Sequence, residues 1–160
     1  MIDKPFGELE AGQRKTSRGR TVTETDVVNF CMLTGNWLEI HSNAEFAKRA
    51  MFGQRIVQGT LVFSIVNALL PFDPEVVEAF YGVDELRFHK PTLIGDTLWA
   101  QSEVIGLEDR GGRFGVATSR LIGFNQRRET VMSCQFKLLI RKTRLAVEPP
   151  SPAETNGVTS

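Results

Sequence analysis

Gly59-Thr-Leu-Val-Phe-Ser-Ile-Val-Asn-Ala-Leu-Leu70 is the stretch that decides the fold. It is apolar on nearly every side, and Pro71 closes it. A helix of that kind is buried over most of its surface. It is shorter than the roughly 20 residues a bilayer requires, and it contains Ser64 and Asn67. It therefore reads as the core helix of a soluble protein, and something must cover it.

The cover lies downstream. After Phe80 the apolar period changes to two: Leu86 and Phe88 alternate with Arg87 and His89. Leu98, Ala100 and Val104 share one face of the next strand. Beyond the Gly111-Gly112 turn, Phe114, Val116, Thr118, Ile122 and Phe124 alternate with the small residues Gly115, Ala117, Ser119 and Gly123. The last strand alternates most clearly, with Met132, Cys134, Phe136, Leu138 and Ile140 against Ser133, Gln135, Lys137 and Arg141. This is the pattern of long antiparallel strands joined by short loops. Sheet plus buried helix makes the chain α+β. A long sheet wrapped around one helix resembles the hot-dog fold, although the period alone does not dictate that topology.

Upstream, the chain reads as helical. Thr23 is a candidate N-cap with Asp26 three residues on, and Gly35 ends that helix. Ser42-Asn43-Ala44-Glu45 has the form of a capping box, with Phe46, Ala47, Ala50 and Met51 as the apolar face behind it. Residues 1–141 form one domain on this reading. From residue 142 the composition drifts, and Glu148-Pro-Pro-Ser-Pro152 opens what reads as a disordered tail to residue 160.

Composition excludes several classes. The chain has 160 residues, 41% hydrophobic and 24% charged, which suits one ordinary globular domain. Lys plus Arg equals Asp plus Glu at 19 each. A nucleic-acid binder needs a basic excess, so that class is disfavoured. Cys31 and Cys134 are too few for a disulfide framework or a four-thiolate metal site. Residues 1–20 lack an apolar signal-peptide core. A reduced cytoplasmic setting is the expectation, with no metal and no cofactor.

Proton-transfer chemistry must start from two histidines, His41 and His89. His41 lies between Gly35 and Ser42, in a short inter-helix segment that gives a side chain little freedom. A surface or cap histidine without a task is the plain alternative. Gly59 opens the core helix, where free N–H groups and the positive end of the dipole suit a developing oxyanion; a glycine kept for a tight turn would look the same. Thr60, Ser64 and Asn67 fall at i, i+4 and i+7, a polar stripe that either faces a wet site or bonds back to its own helix. His89 reads as structural or solvent-facing.

Three blocks, in order, resemble the MaoC-like (R)-specific enoyl-CoA hydratases and dehydratases. Phe30-Cys-Met-Leu-Thr-Gly-Asn-Trp-Leu-Glu-Ile-His41 is similar to the family's hydratase motif, in which Thr-Gly-Asp precedes the catalytic His. Val57-Gln58-Gly59-Thr60-Leu61 is similar to the start of its central helix. Leu86-Arg-Phe-His-Lys-Pro-Thr-Leu-Ile-Gly-Asp-Thr-Leu98 is similar to its Phe-x-x-Pro-x-x-x-Gly-Asp strand. The resemblance covers residues 7–141 and implies a hot-dog fold and a homodimer or higher homo-oligomer. It implies a substrate carried as an acyl-CoA or acyl-carrier-protein thioester, to which water is added at a trans-2 double bond, or from which it is removed. His41 then matches the catalytic His, Gly59 the glycine whose N–H holds the thioester oxygen, and Asn36 the catalytic Asp. Gln58, Thr60, Asn67 and Trp37 are expected near substrate. Arg87 and Lys90, with Arg49 and Arg55 as weaker candidates, are placed to meet CoA phosphates. Trp37, Phe63 and Phe88 either line an acyl pocket or pack in the core.

Asn36 is the departure. An amide orients a water but takes no proton at neutral pH, and losing a general base costs about 10²–10⁴ in rate. Three explanations stand: natural loss of activity, leaving an acyl-thioester-binding or partner subunit; an engineered Asp→Asn change; or a base supplied elsewhere, with Glu39 the nearest carboxylate but offset by three positions. A hot-dog thioesterase is a further, weaker alternative.

Overall fold

The computed structural model describes residues 2–146. A 3₁₀ turn at Phe6–Glu8 opens it. Helix α1 (Glu24–Thr34) starts at Thr23, whose side chain forms a capping box with Asp26, and ends at Gly35 in the left-handed region at φ 70. Gly35 has no Cβ to oppose that conformation.

The next expected helix forms as α3 (Ala44–Arg49), short of Met51, and a separate helical turn, α2 (Glu39–Ser42), occupies the segment expected as a loop before it. The capping box expected at Ser42 does not form. Asn43 caps α3 instead, its Oδ1 accepting the Phe46 N–H at 3.0 Å. Ser42 is already helical, and its hydroxyl donates to the carbonyls of Trp37 and Leu38. His41 thus sits in a helical turn rather than in a loop.

Helix α4 (Gly59–Ala68) is the core helix, two residues shorter at its end than the pattern suggested. Leu61, Val62, Ile65 and Val66 are its buried face. The opposite side is not covered: Thr60, Ser64 and Ala68 are exposed. Ser64 donates to the Thr60 carbonyl at 2.9 Å, the back-bonding alternative weighed above.

Strands β1 (Arg14–Thr16), β2 (Arg20–Thr21), β3 (Val77–Phe88), β4 (Thr97–Asp109), β5 (Phe114–Asn125) and β6 (Thr130–Arg141) form one sheet, ordered β1-β4-β5-β6-β3. Short β2 also pairs with β4. All pairings are antiparallel. Strand β3 begins before the change of period noted at Phe80. Three register shifts against β6, and Glu85 at φ 54, break its alternation. The sheet curls around α4, whose buried face meets Leu98, Ala100, Leu121 and Met132. The chain has the α+β hot-dog fold.

The inner face of β5 explains how tightly the sheet wraps. Its large residues Ile122 and Phe124 are only half-buried, on the outer face, while Gly115, Ala117, Ser119 and Gly123 point inward and are buried. Small residues let α4 approach the backbone. A Cβ added at Gly123 would lie 2.7 Å from Val66 Cγ2 and 2.9 Å from Met132 Cγ.

Lys142, Arg144 and Leu145, which composition placed in the tail, are tied to the body. The Lys142 N–H donates to Arg113 O, the Leu145 N–H to Glu75 O, and Arg144 pairs with Asp73. The expected tail from residue 147 onward lies outside the described residues. Among the described residues no helix is long and apolar enough to cross a membrane.

Because Val66 and Met132 are themselves fully buried, Gly123→Ala is expected to lower unfolding free energy by about 1–3 kcal/mol through overpacking. Urea unfolding measures it. An unchanged midpoint would mean that the helix retreats from β5 at no cost.

Candidate active site

His41 is 8% exposed, and its Nδ1 lies 2.8 Å from the Ile56 carbonyl oxygen. A carbonyl only accepts, so Nδ1 carries a proton, and in the neutral ring Nε2 is the nitrogen that keeps its lone pair. The same residue holds the helical turn from the other direction, because the Ile56 N–H donates to the Ile40 carbonyl at 3.2 Å. Ile56 also bridges to Leu93, and the Val57 N–H donates to Thr92 O at 2.9 Å. One short extended segment therefore fastens His41 on one side and Thr92–Leu93 on the other, and then runs directly into α4.

Helix α4 begins without a side-chain cap. Gln58 occupies the cap position, but its amide is 1% exposed and donates to Cys31 Sγ at 3.0 Å. The first N–H groups of α4 are thus left to another acceptor. Gly59 is small for a visible reason. The Phe88 ring lies on it, and a Cβ there would sit 2.9 Å from Phe88 Cε2.

These groups surround a cleft of about 440 Å³. Met51, Phe52 and Phe88 form apolar walls, and all three keep exposed surface. His41, His89, Lys90 and Thr92 bring the polar groups, and Gly59 stands at the helix end. The arrangement offers an imidazole, a helix N-terminus and an apolar wall in one recess, which suits a reaction that moves protons while charge builds on a carbonyl oxygen.

Of the residues singled out in the sequence, His41, Gly59, Phe88 and Lys90 meet in this cleft. Asn36 does not line it. Half-buried in the α1–α2 loop, its Oδ1 lies 3.5 Å from the Leu38 N–H and its own N–H donates to Thr34 Oγ1. Trp37 is 52% exposed beside it. Thr60 faces outward. Asn67 is half-buried, with an Oδ1 that has no partner. Arg87 is exposed and donates to the Leu86 carbonyl. Arg55 is held by Glu24 through two hydrogen bonds, and Phe63 packs against Phe80 and Phe136. His89 lines the cleft as well as bonding Ser133 Oγ at 2.8 Å, so it is less remote than its strand position suggested. Thr92 escaped the sequence reading altogether. Its place directly after the Pro of the strand signature gives no sign of its burial or of its unpartnered hydroxyl.

Residues 6–122 match the model of the MaoC like domain. The chain belongs to that family. It is 37% identical over 97 residues to Protein MaoC of Klebsiella aerogenes, an overlap of 59% of this chain but only 29% of that protein. It is 30% identical over 118 residues to the 3-hydroxybutyryl-CoA dehydratase of Methylorubrum extorquens, covering 74% of each. A solved structure from Archaeoglobus, described as a monoamine oxidase regulatory protein, superposes with a TM-score of 0.83 at 38% identity, over 89% of this chain and 99% of that one.

The Gly-Asp of this MaoC-like domain has a structural task. Gly95 turns at φ 95, and the Asp96 side chain, 3% exposed, accepts the Leu93 N–H and closes the turn behind Thr92. Burial alone would push the Asp96 carboxyl up. Hydrogen bonds from Arg127, Leu93 and Gln126 outweigh it and hold the group below the usual carboxylate range.

The unfolded chain therefore binds this proton more readily than the folded one. The stabilisation is complete above about pH 4 and is lost as pH falls through the depressed native value. Asp96→Asn should lower stability at pH 7 by about 1–3 kcal/mol, since it removes charge-assisted hydrogen bonds. It should also flatten the acid limb of stability against pH. Equal slopes for variant and wild type in urea melts at pH 2–5 (a range set by the usual carboxylate value of about 4) would contradict this account.

Proposed function

We propose that this MaoC-like domain is a hydro-lyase that adds water to a trans-2-enoyl thioester to give an (R)-3-hydroxyacyl thioester, or runs the reverse. The observation that carries the reading is the His41–Ile56 hydrogen bond, which leaves Nε2 free in the cleft that also contains the uncapped start of α4. The 3-hydroxybutyryl-CoA dehydratase relative supports the same chemistry.

In the forward direction, Nε2 of His41 takes a proton from water as its oxygen bonds to C3. The C2–C3 π pair shifts toward C1, and negative charge collects on the thioester oxygen. The N–H groups at Gly59 and the helix dipole stabilise that charge, a contribution of about 10²–10³ in rate for one donor. Protonation at C2 completes the addition, and the proton abstracted from water balances it. Asn36, expected from its motif position to orient the water, lies outside the cleft lining, and its amide moves no proton. Lys90 meets CoA phosphate, while Gln58, Thr60, Asn67, Trp37 and Arg87 lie outside the cleft lining and take no direct part.

A second reading has its own observation. Asn36 is outside the cleft lining and spends its amide on the loop, as expected if the chain binds acyl thioesters without turning them over. On either reading the domain works in the cytoplasm as a homodimer, joined through edge strand β3, where Phe80 and Tyr81 are exposed.

Loss of enoyl absorbance from crotonyl-CoA tests the proposal with wild type, Asn36→Asp and His41→Gln. His41→Gln should fall by about 10²–10⁴, and Asn36→Asp should rise by about a hundredfold or more. Wild type already as fast as Asn36→Asp would remove residue 36 from proton transfer. Binding without turnover in both would favour the binding subunit, and release of free thiol would mean a thioesterase.

A further inference from the structure

Among the described residues lining the His41 cleft, one buried side-chain oxygen has no hydrogen-bond partner. Thr92 is 3% exposed, lines the cleft, and has an Oγ1 without a partner. The Gln58 Oε1 and Asn67 Oδ1 are also buried and unpartnered, but neither residue lines the cleft. A buried hydroxyl without a partner destabilises a fold, and a valine of the same shape would not. The backbone around Thr92 cannot relieve the defect by shifting. The Thr92 carbonyl is held by the Val57 N–H at 2.9 Å, Leu93 bridges to Ile56, and the Leu93 N–H is held by Asp96 at 2.9 Å.

We infer that Thr92 is a binding residue of this site, and that its hydroxyl holds the oxygen at C3 of the acyl thioester. That oxygen is the attacking water in hydration and the 3-hydroxyl in dehydration. The inference rests on the hydro-lyase reading above. Among the described side chains lining the cleft, the hydrogen-bonding ones are His41, His89, Lys90 and Thr92. His89 Nε2 is engaged with Ser133, and Lys90 only donates. Thr92 both donates and accepts, as water and an alcohol do. The thioester oxygen only accepts, and the start of α4 provides for it. An oxygen at C3 needs two partners, a base for its proton and a group that fixes its position. His41 and Thr92 supply these from adjacent bonds of one segment, at Ile56 O and the Val57 N–H. Asn36, the residue expected to orient the water, is outside the cleft lining.

Equilibrium binding tests this without requiring turnover. (R)-3-Hydroxybutyryl-CoA and butyryl-CoA differ only in the C3 oxygen, and both are titrated calorimetrically into wild type, Thr92→Val and Thr92→Ser. Thr92→Val should weaken the hydroxy thioester about tenfold and leave butyryl-CoA unchanged. Its melting temperature should hold or rise, because an orphaned hydroxyl has been removed. Thr92→Ser should keep the preference for the hydroxy ligand, and it carries the test if the valine variant does not fold. Equal weakening of both ligands, or of neither, overturns the inference, as does loss of the hydroxy preference in a stably folded serine variant. Failure of both ligands to bind wild type overturns the acyl-thioester reading itself, and the Thr92 assignment with it.

Discussion

The site depends on the peptide groups around Ile56. The N–H and C=O of this one residue bond Ile40 and the His41 ring, and its neighbour Val57 holds Thr92. The segment is too short to count as a strand, yet it does a strand's work, satisfying backbone groups on both sides of an otherwise irregular region. Two consequences follow from its position before Gly59. The imidazole tautomer is chosen by a backbone carbonyl, so it does not depend on another titrating side chain. The imidazole and the helix N-terminus are also separated by a fixed length of chain, which keeps their relative placement insensitive to side-chain motion.

That segment is in turn placed by α4, and α4 by the sheet. The buried face of the helix meets small residues of β5, so the helix axis is set by backbone contact at Gly123 rather than by flexible side chains. The same device recurs at Gly59, where the Phe88 ring rests on the helix start. Strand β3 thereby reaches the site through one aromatic contact. The Asp96 network supports the other wall, since the carboxylate that closes the turn after Leu93 is itself held by Arg127 and Gln126 from the β5–β6 hairpin. Each wall of the cleft is anchored to a different part of the sheet.

Much of this was legible in the residue pattern, and the gaps have physical causes. The Thr23 cap, the Gly35 stop, the core helix and the alternation of β6 were all readable, because each is a local or strictly periodic signal. The start of β3 was not, because bulges and Glu85 at positive φ break the period there. Ser42 looked like a cap because its side chain has cap chemistry, but the helical turn before it had already claimed the residue. On β5 the alternation of large and small residues was readable, but not that the small ones, together with Leu121, face inward, where a closely packed helix selects for absence of side chain. In the site, His41, Gly59 and Lys90 were recoverable from motif position. Thr92 was not, since its importance lies in a missing hydrogen bond, which no spacing in a sequence records.

The loop that carries Asn36 bears on what the amide changes. Its Oδ1 serves as an acceptor for the Leu38 N–H, and a carboxylate oxygen would accept the same bond. The bond from the Asn36 N–H to Thr34 is indifferent to the side chain altogether. The His41 ring is held by Ile56 and its turn by Leu38 and Ile40, and residue 36 reaches that frame only through the Leu38 N–H. Exchanging amide for carboxylate thus leaves the frame intact and changes only charge and proton affinity. On the proposed chemistry, thioester binding and oxyanion stabilisation belong to α4 and the Ile56 segment, and they survive the amide. An effect of the amide on that chemistry would fall on proton transfer alone and leave binding and fold unchanged.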